Sequence, residues 1–312
     1  MKLISVVTPC FNEEKNINRC YLKVKSIFSE YIGQYNYEHI FCDNYSNDST
    51  FEILKDIAAN DKNIKLIRNS RNYGVLKNNF NGVLAAKGDA IILLIPADLQ
   101  DPPELIPKFI NYWENGYQIV YGLRKKREEF FILAIVRKIY YRFLSVIANI
   151  NYPADAGDFQ LVDRVVLDAI KKSYIADPFM RMSTFDTGFD SIGIPYTWRR
   201  RKHGRSNNNF FNMIIQGLDG ITSFSNMPIR VTILLGFLIS LSSFLYFFIV
   251  FALIFLGILP RGDQGTLTII AAIFLLNGVQ IFSIGVVGEY VVRVLNQVRG
   301  RPHVIEKERI NF

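Results

Sequence analysis

The chain has 312 residues, of which 50% are hydrophobic and 21% are charged. This balance excludes an intrinsically disordered chain, and the length suffices for one large folded domain together with further apolar segments. The formal net charge of +8 predicts an anionic partner, and lipid headgroups or phosphorylated substrates are favoured over nucleic acid because the basic residues cluster beside apolar segments.

The first 122 residues alternate short apolar segments with amphipathic ones. This alternation predicts strands at 3–8, 37–42, 64–67, 90–95 and 118–122, and helices at 13–30, 49–59, 75–86 and 103–114. Near-continuous apolar strands that alternate with helices are typical of a parallel sheet covered on both faces. The sequence therefore predicts a Rossmann-like α/β fold with a doubly wound, mostly parallel sheet, whose ligands bind at the C-terminal ends of the strands.

Two amphipathic segments follow the predicted sheet. Residues 130–148 place apolar side chains four residues apart, with Arg137, Lys138 and Arg142 between them. A basic amphipathic helix of this kind fits a membrane interface, although packing against the sheet is the alternative. The second segment, 208–224, leads directly towards a strongly apolar region. We predict that both are interfacial helices of a single domain that spans residues 1–225.

The strongly apolar region contains two uncharged runs separated by a short hydrophilic break. A helix needs about 20 apolar residues to cross the hydrocarbon core of a bilayer, and both runs reach that length. The sequence therefore predicts a two-helix transmembrane hairpin over residues 229–295, with spans at about 231–259 and 266–290, followed by a tail at 296–312.

Basic residues flank the two predicted spans at their outer ends. Arg230 precedes the first span, Arg293 and Arg299 lie at or beyond the end of the second, and the connection carries only Arg261, which is offset by Asp263. Because positive charge favours the cytoplasmic side, we expect a multi-pass protein of the inner (plasma) membrane, with the N-terminal domain and both termini in the cytoplasm.

Polar side chains follow three of the predicted strands, in the segments 9–14, 43–48 and 96–104. One such segment is a weak signal, because Asp and Asn also cap helices and form turns. The carboxyl ends of parallel strands meet at one edge of a sheet, so the three segments together predict a binding crevice.

The three segments occur in the order seen in family 2 glycosyltransferases of the GT-A fold, which they resemble as TPxFNEExNI, DNxSxDxT and ADLQDPPE. Later segments are similar to further motifs of that family: Gly122–Arg127 to GxRxxR, Gly157–Leu161 to GDFRL, Arg201–Ser206 to RxxGxS, and Asp219–Ser225 to the run before the membrane. Together with the predicted hairpin, the likeness is to polyprenyl-phosphate glycosyltransferases, the group that includes bactoprenol glucosyltransferases and dolichyl-phosphate mannose synthases.

The resemblance implies inverting transfer of a hexose from a nucleotide diphosphate sugar to a polyprenyl (undecaprenyl) phosphate, which gives a lipid-linked sugar for cell-surface glycans. The residues implied in donor binding are Pro9, Asn12, Glu14, Asp43, Asn44, Asp98 and Gln100. Asp98 would also hold Mg²⁺ or Mn²⁺, because these hard cations prefer carboxylate and phosphate oxygens.

The resemblance also implies three catalytic residues, Asp98, Arg127 and Asp158. Asp158 could orient the acceptor or the sugar, or act as a base, and its role stays open. Arg124, Arg127 and Arg201 would bind the acceptor phosphate, because a planar guanidinium can donate two hydrogen bonds to it at once.

Four positions depart from the family pattern. Asn44 stands where a second acid is frequent, and Pro96 stands where the first acid of an Asp-x-Asp pair is frequent. Gln160 replaces the arginine of GDFRL, and Asn207 replaces the lysine that usually follows Gly-x-Ser. The changes remove one metal ligand and two positive charges, so they bear on donor identity and metal dependence more than on the class of reaction.

UDP-glucose is the favoured donor, and UDP-N-acetylhexosamine, GDP-mannose or a UDP-amino sugar are alternatives. A processive polysaccharide synthase would need a Gln-x-x-Arg-Trp motif and more spans, which the sequence lacks. A non-catalytic membrane scaffold is disfavoured, because Asp98, Asp158 and both arginines of GxRxxR are present. The expected partners are the two substrates and membrane lipids, together with a separate flippase because two spans are too few for a sugar channel. A homo-oligomer is left open.

Overall fold

The computed structural model describes residues 1–30, 33–94, 97–126, 153, 156–172, 179–199, 227–256, 265–300 and 302–312. The chain divides into two compact units, of which one contains residues 1–214 and 300–312 and the other contains residues 215–299. Several sequence predictions lie outside the described residues: the interfacial helices at 130–148 and 208–224, Pro96, Arg127, Arg201 and Asn207.

The strands of the first unit are β1 (Leu3–Cys10), β2 (Asn36–Asp43), β3 (Ile64–Asn69), β4 (Ala90–Leu93), β5 (Ile119–Lys126), β6 (Ala156–Asp163), β7 (Ser191–Thr197) and β8 (Glu306–Ile310). Its helices are α1 (Ile17–Glu30), α2 (Thr50–Asn60), α3 (Val75–Ala85), α4 (Ile106–Glu114), α5 (Arg164–Lys172) and α6 (Met180–Asp186), with a 3₁₀ turn at Pro103–Leu105 before α4. The strands and helices predicted before residue 122 are all present.

Within the described residues the strands form one eight-stranded sheet in the order β7-β5-β6-β4-β1-β2-β3-β8. β6 pairs antiparallel with β4 and β5, and β8 pairs antiparallel with β3, whereas the other pairings are parallel. The predicted α/β fold with a mostly parallel sheet is confirmed. Two reversed strands, which the alternation of apolar segments did not predict, make the sheet mixed.

The segment that resembles GDFRL lies inside the sheet, on β6, and not beyond it as the sequence suggested. Successive side chains of a strand point to opposite faces. Phe159 therefore enters the apolar core, where its ring centroid is 4.7 Å from that of Phe109, while Asp158 lies on the opposite face. Replacing a buried phenylalanine with alanine costs about 3–5 kcal/mol, so Phe159 firmly anchors the strand that carries Asp158.

The C-terminal residues return to the sheet as the edge strand β8. Leu66 is opposite Ile310, and the Asn311 side chain donates hydrogen bonds to the carbonyl oxygens of Ala58 and Ile64 at 2.7 and 2.9 Å. The sequence analysis described residues 296–312 only as a tail. Charged residues dominate this strand, as they do in many exposed edge strands. The segment therefore lacks the hydrophobic pattern from which a strand is predicted.

The second unit consists of two long helices, α7 (Met227–Phe255) and α8 (Thr266–Val298), which contact each other. Within them, Ile229–Val250 and Leu276–Val298 are 22 and 23 residues long, with mean hydropathy of 2.4 and 1.4, and are therefore long and apolar enough to cross a membrane. Large apolar side chains such as Phe237, Phe244 and Phe282 are 60–63% exposed. An apolar surface of this extent indicates an apolar environment.

His39 on β2 makes folding sensitive to acid. It is fully buried, with its Nε2 atom 2.9 Å from Thr8 Oγ1, and burial lowers its pKa from 6.5 to about 3. Between pH 6.5 and about pH 3, the imidazole of His39 is protonated in the unfolded chain but neutral in the folded chain. The contribution of His39 to stability is therefore complete above pH 6.5 and is lost as the pH falls through this interval.

We expect His39 to lower the free energy of unfolding by about 1.4 kcal/mol per pH unit below about pH 6. Thermal unfolding in detergent between pH 6 and pH 4 measures this slope. His39→Gln should flatten it, whereas the control His303→Gln, at a histidine that keeps solvent contact, should not. An unchanged slope in His39→Gln would contradict the assignment.

Candidate active site

The segments that follow β1 and β2 are joined by hydrogen bonds. The backbone N–H of Asn12 donates to Ser46 Oγ at 2.9 Å, and the N–H of Asn47 donates to Asn12 Oδ1 at 2.9 Å. The N–H of Asn44 donates to the carbonyl oxygen of Cys10 at 3.0 Å. These bonds bring two of the three predicted polar segments together at the carboxyl edge of the sheet.

Backbone strain is concentrated in the same segments. Among the described residues, positive φ angles at non-glycine positions occur at Asn12 (55°), Tyr45 (65°), Leu99 (59°) and Asn311 (65°). The first three lie in the loops after β1, β2 and β4. Such a conformation costs about 1–3 kcal/mol and persists only where the surroundings enforce it, commonly at functional sites. Three of the four outliers therefore lie in the loops that the sequence predicts to form the binding crevice.

Asp43 lies at the end of β2 and is fully buried. Its carboxylate accepts the backbone N–H of Ser46 at 3.2 Å and lies 3.7 Å from Arg68 Nε. Burial raises the pKa of Asp43, while the hydrogen bonds from Ser46 and the charge of Arg68 oppose the shift. Arg68 itself packs over the Phe51 ring. The sequence did not identify Arg68, because it belongs to no motif and meets Asp43 only through the pairing of β2 with β3.

Asn44 belongs to a network of asparagine side chains. Its Nδ2 donates to Asn72 Oδ1 at 2.8 Å, and its Oδ1 accepts from Asn69 Nδ2 at 3.0 Å and from the Tyr73 N–H at 3.0 Å. The network continues to α3, where Asn78 Oδ1 accepts from Asn69 and Asn78 Nδ2 donates to the carbonyl oxygen of Cys42. A carboxylate at position 44 could accept hydrogen bonds but could not donate the one that Asn44 gives to Asn72. This accounts for an asparagine at a position where the family pattern often has an acid.

Pro9 and Glu14 support the loops from the β1 side. Pro9 is the last residue but one of β1, opposite Cys42 on β2. Glu14 accepts the backbone N–H of Ser49 at 3.2 Å, and its own N–H donates to Asp48 at 3.3 Å. Both residues therefore lie beside the predicted donor site, and a direct contact with the donor stays a prediction.

The loop after β4 carries Asp98, Gln100 and Asp101. Asp98 is 4% exposed, and its Oδ1 accepts the N–H of Gln100 at 3.0 Å. The Gln100 backbone carbonyl accepts the N–H of Arg199 at 3.0 Å, and the Gln100 side chain donates back to the Arg199 carbonyl at 3.2 Å. This double contact fixes the loop against the segment that follows β7.

Arg124 and Asp158 are both held in place by partners of opposite charge. Arg124, on β5, donates to Asp101 at 3.3 Å, and Asp158, on β6, accepts two hydrogen bonds from Arg181, one of them at 2.8 Å. Although burial alone would lower it, the Asp101 carboxylate raises the pKa of Arg124, so the guanidinium stays charged. Arg181, on α6, was missed by the sequence analysis, because a single arginine in a short helix carries no motif.

No cluster of three or more His, Cys, Asp or Glu side chains in the described ranges is arranged to hold a metal ion. Mg²⁺ does not require such a cluster, because it usually keeps several waters and binds one or two carboxylates together with ligand phosphates. Asp98 in this loop offers a carboxylate of the kind that suits a divalent cation. The residues present fit a cation shared with a phosphate-bearing ligand.

Comparison with known families matches residues 5–171 to glycosyl transferase family 2 and residues 227–294 to the GtrB C-terminal hairpin. The chain is 35% identical over 305 residues to the uncharacterized glycosyltransferase YkcC of Bacillus subtilis (strain 168), covering 97% of this chain and 93% of that protein. It is 33% identical over 308 residues to the bactoprenol glucosyl transferase of Shigella phage SfII, covering 98% of this chain and 97% of that protein.

Among solved structures, the fold is similar to glucosyl-3-phosphoglycerate synthase from Mycobacterium tuberculosis in complex with Mg²⁺ and uridine diphosphate. The TM-score is 0.53 at 17% identity, over 72% of this chain and 79% of that chain. At this level of identity the likeness shows the fold alone.

Proposed function

Because the chain belongs to glycosyl transferase family 2 and is a glycosyltransferase, we propose that it transfers a hexose from a nucleotide diphosphate sugar to a polyprenyl phosphate. The observation that carries this proposal is the similarity to bactoprenol glucosyl transferases over 98% of the chain, which includes the hairpin that associates the protein with a membrane. UDP-glucose is the proposed donor, and the product is a lipid-linked hexose.

The donor nucleotide would lie on the β1–β2–β3 side of the crevice. Asp43 is a buried carboxylate with Arg68 beside it, and it would accept hydrogen bonds from the ribose or the base. The fixed loops that carry Asn12 and Ser46 would shape the same pocket. Because these groups are already positioned by the asparagine network and by hydrogen bonds, little further ordering is needed when the nucleotide binds.

The diphosphate of the donor would lie near Asp98. We propose that Asp98 and the diphosphate together hold Mg²⁺ or Mn²⁺. Such an ion neutralises the negative charge that develops on the leaving diphosphate. The hydrogen bonds that join Gln100 to Arg199 keep the Asp98 loop in place during the reaction.

The acceptor phosphate is already ionised at neutral pH, so the site needs no strong base to create the nucleophile. It must instead bring two anions together, and two unit charges about 4 Å apart repel by about 4 kcal/mol at an effective dielectric constant of about 20. We propose that Arg124, with Arg127 and Arg201, opposes this repulsion. Asp158 is ion-paired with Arg181, which favours an orienting role over that of a base.

We further propose that the sheet and both termini face the cytoplasm. The hydrogen bonds between β8 and β3 support a topology in which the segment after α8 lies on the same side of the membrane as the sheet. Two crossings would give this topology, and the basic residues outside the spans favour the cytoplasmic side. Carrying the product across the bilayer would then require a separate flippase.

The test is an assay of the purified full chain with labelled UDP-glucose, Mg²⁺ and undecaprenyl phosphate. We expect label to enter the organic phase only when the lipid acceptor is present, and chelation of the divalent cation to abolish it. Parallel reactions with GDP-mannose and UDP-N-acetylglucosamine identify the donor. Failure of every donor to label the lipid would overturn the proposal and favour a non-catalytic scaffold.

A further inference from the structure

A buried cluster of three polar side chains lies under the loop that carries Asp98. We call Asp101, Arg124 and Tyr196 the arginine cluster. Arg124 Nε donates to Tyr196 Oη at 2.9 Å, Arg124 Nη2 lies 3.3 Å from both carboxylate oxygens of Asp101, and the Tyr196 hydroxyl donates to Asp101. Asp101 is fully buried, Tyr196 is 7% exposed, and the Arg124 side chain is 11% exposed. Each member therefore contacts the other two.

The arginine cluster joins three separate parts of the fold. Asp101 belongs to the loop after β4, Arg124 to β5 and Tyr196 to β7, where Arg124 and Tyr196 are opposite each other in the parallel pairing. The cluster thus connects the loop proposed to bind the donor diphosphate with a residue proposed to bind the acceptor. Tyr196 lies in none of the family-like motifs, so no local pattern in the sequence selects it.

Two glycines of the family-like motifs make room for Tyr196. A Cβ atom at Gly157 would lie 3.2 Å from Arg124 Nε and 3.4 Å from Tyr196 Oη. A Cβ atom at Gly122 would lie 2.5 Å from a carbon of the Tyr196 ring. Gly122 and Gly157 therefore both face Tyr196, and both motifs pack against its side chain.

The contacts fix the direction of the Arg124 guanidinium. Its Nε and Nη2 atoms are used by Tyr196 and Asp101, whereas Nη1 makes no hydrogen bond to the described residues. An unrestrained arginine side chain has considerable rotational freedom, which it loses when it binds a ligand. Here that freedom is already removed by the fold, so a phosphate that meets Nη1 needs no further ordering of the side chain.

We propose that Tyr196 is a positioning residue that orients the Arg124 guanidinium towards the phosphate group of the lipid acceptor, with Asp101 as the second support. This proposal rests on the proposed function. It predicts that loss of the Tyr196 hydroxyl weakens the use of the acceptor selectively, because the Asp98 loop keeps its hydrogen bonds between Gln100 and Arg199.

The test compares Tyr196→Phe with the wild-type chain in steady-state kinetics. The substitution keeps the ring, which packs edge-on against Phe159, and removes only the hydroxyl. We expect the KM for undecaprenyl phosphate to rise about tenfold, as for the loss of one hydrogen bond to a charged group, and the KM for the nucleotide sugar to stay within a factor of about two. Tyr121→Phe on β5, outside the cluster, is the matched control and should leave both constants unchanged.

Gly157→Ala provides a second test from the opposite side of the cluster. Its added methyl group would crowd Arg124 Nε while the hydroxyl of Tyr196 stays present, and it should reproduce the selective rise in the KM for the acceptor. The same selective change from two unrelated substitutions excludes a general loss of stability as its cause.

The wild-type assay separates failure of this inference from failure of the function. If the wild-type chain transfers no sugar to the lipid, both the proposed function and the positioning role are overturned. If it does, and Tyr196→Phe leaves the KM for the acceptor unchanged or raises both KM values equally, only the positioning role is overturned.

Discussion

Replacing Asp98 with asparagine is expected to lower kcat/KM for sugar transfer by about 10²–10³-fold, the usual cost of losing one group that stabilises developing charge. The carboxylate is the proposed protein ligand of the divalent cation, and an amide is a much poorer ligand for such a hard ion. The fold should survive, because the substituted side chain would retain an Oδ1 atom to accept the N–H of Gln100 that Asp98 now accepts at 3.0 Å.

Asp89→Asn is the matched control for this experiment. Asp89 precedes β4 at the opposite end of the strand, where it is exposed and accepts the N–H of Leu3 at 2.8 Å. We expect this variant to keep full activity, and both variants to unfold within a few degrees of the wild-type temperature. Residual activity above about a tenth in Asp98→Asn would show that Asp98 does not act through the cation.

Hydrophobic periodicity predicted the strands and helices that lie before residue 122. β1 and β4 are buried on both faces, so their sequences are near-continuous apolar runs that end at polar loops. The predicted strand at 3–8 and the observed Leu3–Cys10 differ by only two residues for this reason. The loops themselves were predicted to converge because parallel strands end at one edge of a sheet.

The strands that the sequence analysis did not predict each break that periodicity for a physical reason. β6 carries Asp158 and Gln160 on one of its faces, so its apolar run is interrupted. β7 contains Pro195, which argues against a central strand but is tolerated here because β7 lies at the edge of the sheet. β8 is mostly charged, as suits an exposed edge.

A similar division applies to the candidate site. Asp43, Asp98 and Asp158 were selected because each lies in a motif. Their partners could not be selected in this way. Arg68 meets Asp43 across a strand pair, Arg181 meets Asp158 from a helix 23 residues away in the sequence, and Tyr196 meets Asp101 from 95 residues away. Contacts of this kind depend on tertiary structure, and only the motif residues leave a local signal.

Deleting residues 302–312 is expected to destabilise the sheet unit and to weaken donor binding. The deletion removes β8, the buried side chain of Val304 and the two hydrogen bonds that Asn311 donates. Together these losses amount to about 5 kcal/mol, which corresponds to a fall in Tm of about 10–20 °C for a domain of this size. The edge of β3 would also become free to pair with other chains, so we expect aggregation.

The expected effect on the donor follows from the contacts that the C-terminal segment makes with α3. Glu306 accepts a hydrogen bond from Asn81 at 2.7 Å, and His303 packs edge-on against Phe80. The same helix carries Asn78, which holds the asparagine network in place beside Asp43. Loss of the segment should therefore loosen the proposed nucleotide side of the crevice, and we expect the affinity for UDP, measured by calorimetry, to fall about tenfold.

Point substitutions separate this effect from a general loss of folding. Glu306→Ala removes the contact with Asn81 and should weaken UDP binding with a smaller change in Tm than the deletion causes, whereas Ile305→Ala, at the neighbouring side chain that is 58% exposed, should change neither. Unaltered UDP affinity in both the deletion and Glu306→Ala would show that β8 covers the edge of β3 but does not support the proposed donor site. If the affinity falls as expected, the segment that follows the two long helices also supports the proposed donor site, through its contacts with α3.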